Sequence, residues 1–270
     1  LARDHFSKAA SLVTAVSFMY APYLAYDILF RGNLAETMAW PLMPLALWAM
    51  GRLAREGGWR YVLATTLSYT AILLMHNVFA LIFSPLLGLY GIMNLSFLRK
   101  QESTSETIRR FILISTILAL GLGITTFFWL PALIERAIVH SDRLLVPPVF
   151  VYWGNFVTLS EIFTPPPIVY SDLLNPSPMR ALGLVPLLLA LPAVVLGWRC
   201  KRQVASNKSQ VGQLATCNLP LVTFFAGATA VYTLLMLSIS TPVWENLPLI
   251  EFVQFPWRLL GPAALTLAMV

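Results

Sequence analysis

Apolar stretches long enough to cross a lipid bilayer recur along almost the whole chain. A membrane-spanning helix needs about 20 mostly apolar residues. Prolines inside several of the stretches predict bent helices. The pattern predicts an all-α fold, a polytopic transmembrane helix bundle with seven complete spans and one truncated span. The approximate bounds are 9–27, 35–51, 61–76, 78–97, 111–134, 181–198 and 219–238, with 258–270 as the truncated span.

Charged side chains are too few to cover a water-soluble surface. Asp, Glu, Lys and Arg make up 11% of the 270 residues, whereas a soluble globular domain contains about 25%. The composition also excludes an intrinsically disordered chain, which combines low hydrophobicity with high charge. We therefore interpret the net charge of +6 as basic residues in the cytoplasmic loops of a membrane protein, where they set its orientation. We expect the lipid bilayer as a partner and no nucleic acid.

The basic residues are divided unequally between the two sides of the predicted bundle. With the N-terminus of the chain placed inside, 13 of the 18 Lys and Arg residues fall in inner loops and 5 fall outside. Basic residues concentrate in the cytoplasmic loops of membrane proteins. The sequence therefore predicts a multi-pass protein of the inner (plasma) membrane, with the N-terminus of this segment in the cytoplasm.

Both ends of the sequence suggest a segment of a longer protein. Residue 1 is Leu, and the last residues, 259–270, stop inside an apolar run. We expect a single transmembrane domain over residues 1–270. Residues 135–180 form its longest outer loop, where repeated prolines argue against a long helix. Aromatic residues in the same loop predict segments that lie along the outer membrane surface.

Charged residues gather at the predicted outer ends of the first two spans. Asp27 and Arg31 are four residues apart, and Glu36 begins the second span. One interpretation is an ion pair along a helix, followed by an acidic first turn on the next helix. The other interpretation is a charged cluster at the mouth of an outward-facing cavity, where an arginine can bind phosphate through two N–H groups.

Two further charged segments lie on the same predicted side. Glu135 and Arg136 follow the aromatic segment FFWLPALI, and Arg258 closes the segment QFPWR. Trp257 and Arg258 suit an anchor at the membrane interface, and also suit binding of a lipid phosphate. We expect Asp27, Arg31, Glu36, Glu135 and Arg258 to lie within one outward-facing region.

Histidines give no sign of a metal centre. His5, His76 and His140 are scattered, and no zinc-protease, paired-cysteine or phosphate-loop motif is present. The segment His76-Asn77, at the outer end of the third span, is typical of a turn with a satisfied polar pair, and a catalytic base is the alternative interpretation. We therefore predict no metal site within the chain, and no cofactor is evident.

The segment YAPYLAYDILFRGNLAE (20–36), followed by Pro41 and Pro44, resembles a group of bacterial multi-pass proteins, the 6-pyruvoyl-tetrahydropterin synthase-related membrane domain. The segments FFWLPALIE and QFPWRLL fit the same group. These proteins are similar to the C-type glycosyltransferase (GT-C) superfamily, whose members take sugars from polyprenyl-phosphate carriers at the outer membrane face. The resemblance implies a GT-C-like bundle and a polyprenyl-phosphate sugar donor. It implies no pterin chemistry. The soluble zinc enzyme of that name uses three histidine ligands, whereas the three histidines of this chain are scattered.

A glycosyltransferase needs a positive group for the lipid phosphate and a carboxylate for the acceptor hydroxyl. The candidates for the phosphate are Arg31, Arg136 and Arg258, and the candidate catalytic carboxylates are Asp27, Glu36 and Glu135. GT-C enzymes usually carry an acidic motif in their first outer loop. If the chain is cut at its N-terminus, such a motif, and any divalent metal bound to it, would lie upstream of residue 1.

Two other functions remain open. A structural membrane protein without catalysis is compatible with every feature of the sequence. A transporter or flippase is less favoured, because that class places ionisable residues near the bilayer midplane. The charges of this chain lie at the ends of the predicted spans.

Overall fold

The structure is a computed structural model that describes residues 1–98, 104–135, 138, 150–164, 180–192, 195 and 219–270. Every regular element in these ranges is helical, and no strand occurs in them. The prediction of an all-α fold is confirmed.

The helices follow the predicted apolar stretches, with breaks that the hydropathy pattern does not show. A helical stretch over residues 184–192, here called α10, completes the described set. The bounds of the others are Lys8–Met19 (α1), Pro22–Tyr26 (α2), Leu34–Ala39 (α3), Leu42–Glu56 (α4), Trp59–Met75 (α5), Asn77–Leu98 (α6), Thr104–Ile124 (α7), Thr126–Ile134 (α8), Leu159–Phe163 (α9), Leu219–Met236 (α11), Thr241–Asn246 (α12) and Leu260–Ala268 (α13).

Three of the described helices are long and apolar enough to cross a membrane. They are α6 over Asn77–Ser96, α7 and α11. A fourth span results if α1 and the helical segment Pro22–Arg31 are taken as one, although the two are bent by 43°. The chain therefore has the helices of a membrane protein, and the total of seven spans stays a prediction.

Proline accounts for two of the breaks. The first predicted span bends where Pro22 begins α2, and the second divides at Pro41, between α3 and α4. Proline has no backbone N–H and its ring collides with the preceding helical turn, so it starts helices more readily than it continues them. The division leaves α4 with 15 residues, fewer than a straight span needs.

The described residues form two compact units. The central unit comprises Asn33–Phe150 with Leu1, and the terminal unit comprises Ala2–Gly32 with Val151–Val270. In the central unit α4 packs on α5 and α6, and α5 packs on α7. In the terminal unit α13 packs on α1 and α11. All residues of α13 from Leu260 to Leu267 are buried.

A glycine permits close packing between α5 and α7. A Cβ atom at Gly121 would lie 2.5 Å from Cδ1 of Tyr69, whereas a Cβ atom at Gly123 would meet nothing within 4 Å. Tyr69 is almost fully buried, and its hydroxyl is hydrogen-bonded to the Ser84 hydroxyl at 2.8 Å. The tyrosine ring therefore cannot easily give way to a larger residue at position 121.

We expect Gly121→Ala to destabilise the central unit by about 1–3 kcal/mol through overpacking. Gly123→Ala in the same helix is the matched control. It should leave stability unchanged or raise it slightly, because alanine favours a helix over glycine by about 1 kcal/mol. Thermal unfolding of both variants in one detergent measures the difference. Equal midpoints would show that α5 and α7 separate without cost.

A short helix in the predicted outer loop is held by a capping box. The Thr158 hydroxyl accepts the N–H of Glu161 at 3.3 Å, and the Glu161 carboxylate accepts the N–H of Thr158 at 2.7 Å. Arg180 donates to the other carboxylate oxygen of Glu161 at 3.3 Å. Burial raises the pKa of Glu161, but the hydrogen bonds from Thr158 and the charge of Arg180 outweigh it and hold the pKa below its ordinary value.

This lowered pKa predicts a loss of local order in acid. A carboxylate whose folded pKa lies below its unfolded pKa stabilises the fold above the unfolded value, about 4.3 for Glu. That stabilisation disappears as the pH falls through the folded pKa. We expect the hydrogen-exchange protection of α9 to fall between about pH 5 and pH 3. Glu161→Gln should abolish the pH dependence, and an unchanged profile in this variant would contradict the role of Glu161.

The aromatic residues of the same loop take two positions. Tyr152 stacks on Trp244 with ring centroids 5.3 Å apart, so its ring packs inside the terminal unit. Trp153 and Phe163 are exposed. The predicted placement along the membrane surface stays a prediction. The proline-rich parts of the loop lie outside the described residues.

Candidate functional site

Asp27 and Arg31 bound a π-helical turn that follows α2. The N–H of Gly32 donates to the carbonyl of Asp27, five residues back, and Gly32 has a φ of 60°. This left-handed conformation is readily adopted by glycine, which has no Cβ atom. π-Helical turns are rare and are frequent at functional sites. The turn therefore marks this segment as a candidate site.

The two charged side chains of this turn form an ion pair. Nη1 of Arg31 donates to Oδ1 of Asp27 at 2.8 Å. The Asp27 side chain is fully buried, while 22% of the Arg31 side chain is exposed. A buried carboxylate is costly unless a cation compensates it. Asp27 therefore holds the Arg31 guanidinium from the buried side, while part of the Arg31 side chain stays exposed.

An indole ring packs against the same arginine. Cζ of Arg31 lies 5.0 Å from the ring centroid of Trp257, within the range of a cation–π interaction. Trp257 is itself buried, stacked on Phe255 at 5.0 Å and edge-on to Tyr23 at 6.0 Å. Its Nε1–H has no hydrogen-bond partner among the described residues. The carboxylate and the indole together hold the Arg31 guanidinium.

The segment that carries Trp257 is strained and internally bonded. Gln254 has a φ of 61°, a left-handed conformation that is uncommon for a residue other than glycine. Nη1 of Arg258 donates to the carbonyl of Val253 at 2.9 Å, and Cζ of Arg258 lies 4.9 Å from the Phe255 ring centroid. Arg258 is buried. Backbone strain of this kind persists where the surroundings enforce it, which is common at binding sites.

Glu36 occupies a second polar cluster, in the central unit. Asn33 caps α3: its Oδ1 accepts the N–H of Glu36 at 3.3 Å, and its Nδ2 donates to Oε2 of Glu36 at 3.0 Å. The Glu36 side chain is fully buried, and its Oε2 lies 3.9 Å from Nε2 of His76. The helix α3 packs on α5, which ends just before His76.

Glu135 and Arg136 are the other two candidates from the sequence. Glu135 follows α8 as an exposed residue, and its N–H donates to the carbonyl of Pro131. A carboxylate at the negative end of a helix gains nothing from the helix dipole. Arg136 lies outside the described residues.

The five residues expected in one region belong to two units. Asp27 and Arg31 are in direct contact, and Arg258 lies next to Trp257 in the same terminal unit. Glu36 and Glu135 belong to the central unit. A single region that contains all five stays a prediction.

Two residues outside the list of candidate charges belong to these clusters. The sequence indicates an interface anchor or a lipid-phosphate contact for Trp257 and a turn or a catalytic base for His76, and each lies next to a candidate charge. Trp257 directly precedes the candidate Arg258 in the sequence, and this position was a signal that could have identified it as a site residue. The described residues contain no group of three or more His, Cys, Asp or Glu side chains that could hold a metal ion.

Comparisons of the chain with protein-family models, with curated protein sequences and with solved structures find no match. Fold and site therefore define a class only. Over its described residues the protein is an α-helical chain with three helices long and apolar enough to span a membrane and a π turn that carries an arginine. The resemblance to GT-C proteins stays a prediction.

Proposed function

We propose that this chain is a glycosyltransferase-like membrane protein that binds a polyprenyl-phosphate-linked sugar at the outer membrane face. The proposal includes a GT-C-like bundle with seven complete spans and a cytoplasmic N-terminus. The observation that carries it is the Arg31 guanidinium, held between the buried Asp27 carboxylate and the Trp257 ring while remaining partly exposed.

An arginine held in this way suits a phosphate group. The guanidinium presents five N–H donors in a rigid plane, which matches two phosphate oxygens at once. Asp27 engages Nη1 and the indole covers the guanidinium, so the side chain has little conformational freedom left to lose when a ligand binds. Preorganisation of this kind increases affinity. In this proposal Arg31 binds the phosphate, and Asp27 is the positioning residue.

The terminal unit also offers an apolar groove for a prenyl chain. The groove has a volume of about 310 Å³ and is lined by α1, by residues 186, 189 and 190 of α10, and by the last residues of the chain. Phe6, Val13 and Leu267 are among its apolar residues. A prenyl chain that enters the groove from the bilayer gains packing contacts rather than hydrophobic free energy, because lipid tails are themselves apolar. Such a groove supports a lipid carrier better than a soluble nucleotide sugar.

Lipid cross-linking tests the binding step. The chain is placed in lipid nanodiscs and labelled with a photoreactive polyprenyl phosphate, in competition with unlabelled polyprenyl phosphate or with polyprenol. We expect saturable labelling that polyprenyl phosphate suppresses at least about tenfold better than polyprenol, because only the phosphate engages Arg31. Equal competition by the two lipids would mean that the prenyl chain alone is bound, and would overturn the proposal.

Three outcomes of transfer and translocation assays separate the possible functions. Release of radiolabelled sugar from polyprenyl-phosphate sugar, dependent on an added acceptor, supports a glycosyltransferase. Phosphate-dependent binding without sugar release supports a lipid-binding protein without catalysis. Movement of the intact lipid between the two leaflets supports a flippase.

Cysteine labelling tests the proposed topology. In a variant that lacks Cys200 and Cys217, single cysteines replace the exposed Trp153 or Ala205. We expect a membrane-impermeant maleimide to label position 153 from outside and position 205 only after the membrane is opened. Labelling of both positions from the same side would contradict the topology.

A further inference from the structure

An open cavity lies where α4 meets α5 in the central unit, and we call it the α4–α5 cavity. Its volume is about 500 Å³, and its lining consists of Trp48, Gly58, Trp59, Arg60, Tyr61 and Ala64. Trp48 packs edge-on against Tyr61 with ring centroids 5.8 Å apart, which fixes the two sides of the cavity. A Cβ atom at Gly58 would meet nothing within 4 Å. The volume is within the range of small-molecule sites, about 300–1,000 Å³.

Arg60 is the cation of this cavity. Its side chain is exposed, and its Cζ lies 5.9 Å from the ring centroid of Trp59, at the outer limit of a cation–π interaction. Within the part of the chain that the structure describes, no carboxylate pairs with Arg60. Glu56, the acidic residue of the same turn, binds Arg52 and Tyr61 instead. The N–H donors of the Arg60 guanidinium can therefore bind an anion from outside the chain.

The surrounding turn carries a net positive charge. Residues 52–60 contain three arginines and one glutamate, a net charge of +2. The start of α7 packs against this end of α4, where Nη1 of Arg110 donates to the carbonyl of Ala54 at 2.7 Å. Positive charge at a membrane surface attracts anionic lipid headgroups. It also repels the cationic ammonium group of a zwitterionic headgroup.

An exposed apolar stripe on α5 leads away from the cavity. Trp59, Leu63, Leu67 and Leu74 are exposed at spacings of four, four and seven residues, which places them on one face of the helix. Trp59 is 70% exposed, and tryptophan is enriched at the level of lipid headgroups. An acyl chain can therefore lie along the leucines while the phosphate of the same lipid reaches Arg60.

We infer that the α4–α5 cavity binds the headgroup of an anionic phospholipid from the surrounding bilayer. Arg60 binds the phosphate through its planar N–H donors. Trp48 and Trp59 form the aromatic walls, and the acyl chains lie along the exposed leucines of α5. The site lies within the central unit and does not rest on the proposed binding of polyprenyl phosphate at Arg31.

Fluorine NMR of the whole chain in nanodiscs measures this binding. The eight tryptophans are replaced by 5-fluorotryptophan, and the variants Trp48→Phe and Trp59→Phe assign the two signals of the cavity. The nanodiscs contain phosphatidylcholine with increasing fractions of phosphatidylglycerol. We expect both signals to shift with phosphatidylglycerol and to reach saturation. A shift that grows without saturation would indicate only the general field of a charged surface and would overturn the inference.

Two arginines of the central unit separate a site from an effect of net charge. Arg60→Ala should weaken the binding of phosphatidylglycerol about tenfold or more, because a charged hydrogen-bond donor is lost. Arg109→Ala is the matched control, since the Arg109 side chain is 81% exposed and pairs with Glu106. We expect it to weaken binding less than about threefold. Equal losses in Arg60→Ala and Arg109→Ala would overturn the inference.

A soluble phosphate tests the source of the ligand in the wild-type chain, independently of how the variants fold. Glycerol 3-phosphate carries a phosphate without acyl chains, so it should leave both signals unchanged in nanodiscs of phosphatidylcholine. A saturable shift equal to that caused by phosphatidylglycerol would indicate a soluble ligand and would overturn the inference. Arg31→Ala should leave the response of Trp48 and Trp59 unchanged, so this inference and the proposed function fail independently.

Discussion

Arg31→Ala is expected to weaken binding of polyprenyl phosphate by about 10- to 100-fold. The substitution removes a hydrogen-bonding cation, and a hydrogen bond to a charged group contributes about 1.5–3 kcal/mol. Because about 1.4 kcal/mol corresponds to a tenfold change in affinity, the loss should be large and easily measured. Competition cross-linking in nanodiscs gives the affinities. Arg31→Lys should fall between, because lysine keeps the charge and loses the planar pair of donors.

A matched arginine controls for the general effect of charge. Arg52 pairs with Glu56 at the same four-residue spacing in the central unit, with 31% of the Arg52 side chain exposed. We expect Arg52→Ala to leave the affinity for polyprenyl phosphate within about twofold of wild type, because exposed pairs contribute little. A similar loss in Arg31→Ala and Arg52→Ala would show that net charge, and not a site, determines binding.

The helical fold follows from hydropathy because apolar stretches of this length have few alternatives in a membrane. A backbone N–H or C=O group without a hydrogen bond is costly inside a bilayer. An apolar stretch that spans the bilayer therefore forms a helix, which pairs these groups within the stretch. The breaks at Pro22 and Pro41 were also predictable in kind. The lengths of the helices on either side were not, because they depend on how neighbouring helices satisfy the freed carbonyls.

The Asp27–Arg31 pair was one of two interpretations of a four-residue spacing, and the structure contains it. The π-helical turn around the pair was not predictable, since no local residue pattern specifies a hydrogen bond from an N–H to the carbonyl five residues before it. The contact with Trp257 was not predictable either. It joins two segments far apart in the sequence, and only the packing of the terminal unit brings them together.

The Glu36 cluster shows the same division between local and tertiary information. Asparagine three residues before glutamate is a helix-start pattern, and the capping contacts of Asn33 follow from it. The approach of His76 depends on how α3 packs against α5. Sequence spacing therefore indicates the carboxylate, while its imidazole neighbour requires a structure.

Asp27→Asn is expected to destabilise the terminal unit by about 2–3 kcal/mol. Breaking a fully buried ion pair costs about 3–5 kcal/mol, because the remaining charge loses its partner. Partial exposure of Arg31 reduces that penalty. The double variant Asp27→Asn/Arg31→Ala should therefore be more stable than the sum of the single changes predicts. We expect a coupling energy of about 1–2 kcal/mol, measured by unfolding in mixed micelles.

The pair Arg52–Glu56 again supplies the control, because its carboxylate side chain is 44% exposed. A cycle of Arg52→Ala and Glu56→Gln should give a coupling energy of only about 0.3–0.5 kcal/mol. If Asp27 and Arg31 coupled as weakly, Asp27 would not hold the guanidinium, and its burial would have to be explained by other contacts. A strong coupling, together with a smaller loss of lipid binding in Asp27→Asn than in Arg31→Ala, would identify Asp27 as the residue that positions the phosphate-binding arginine.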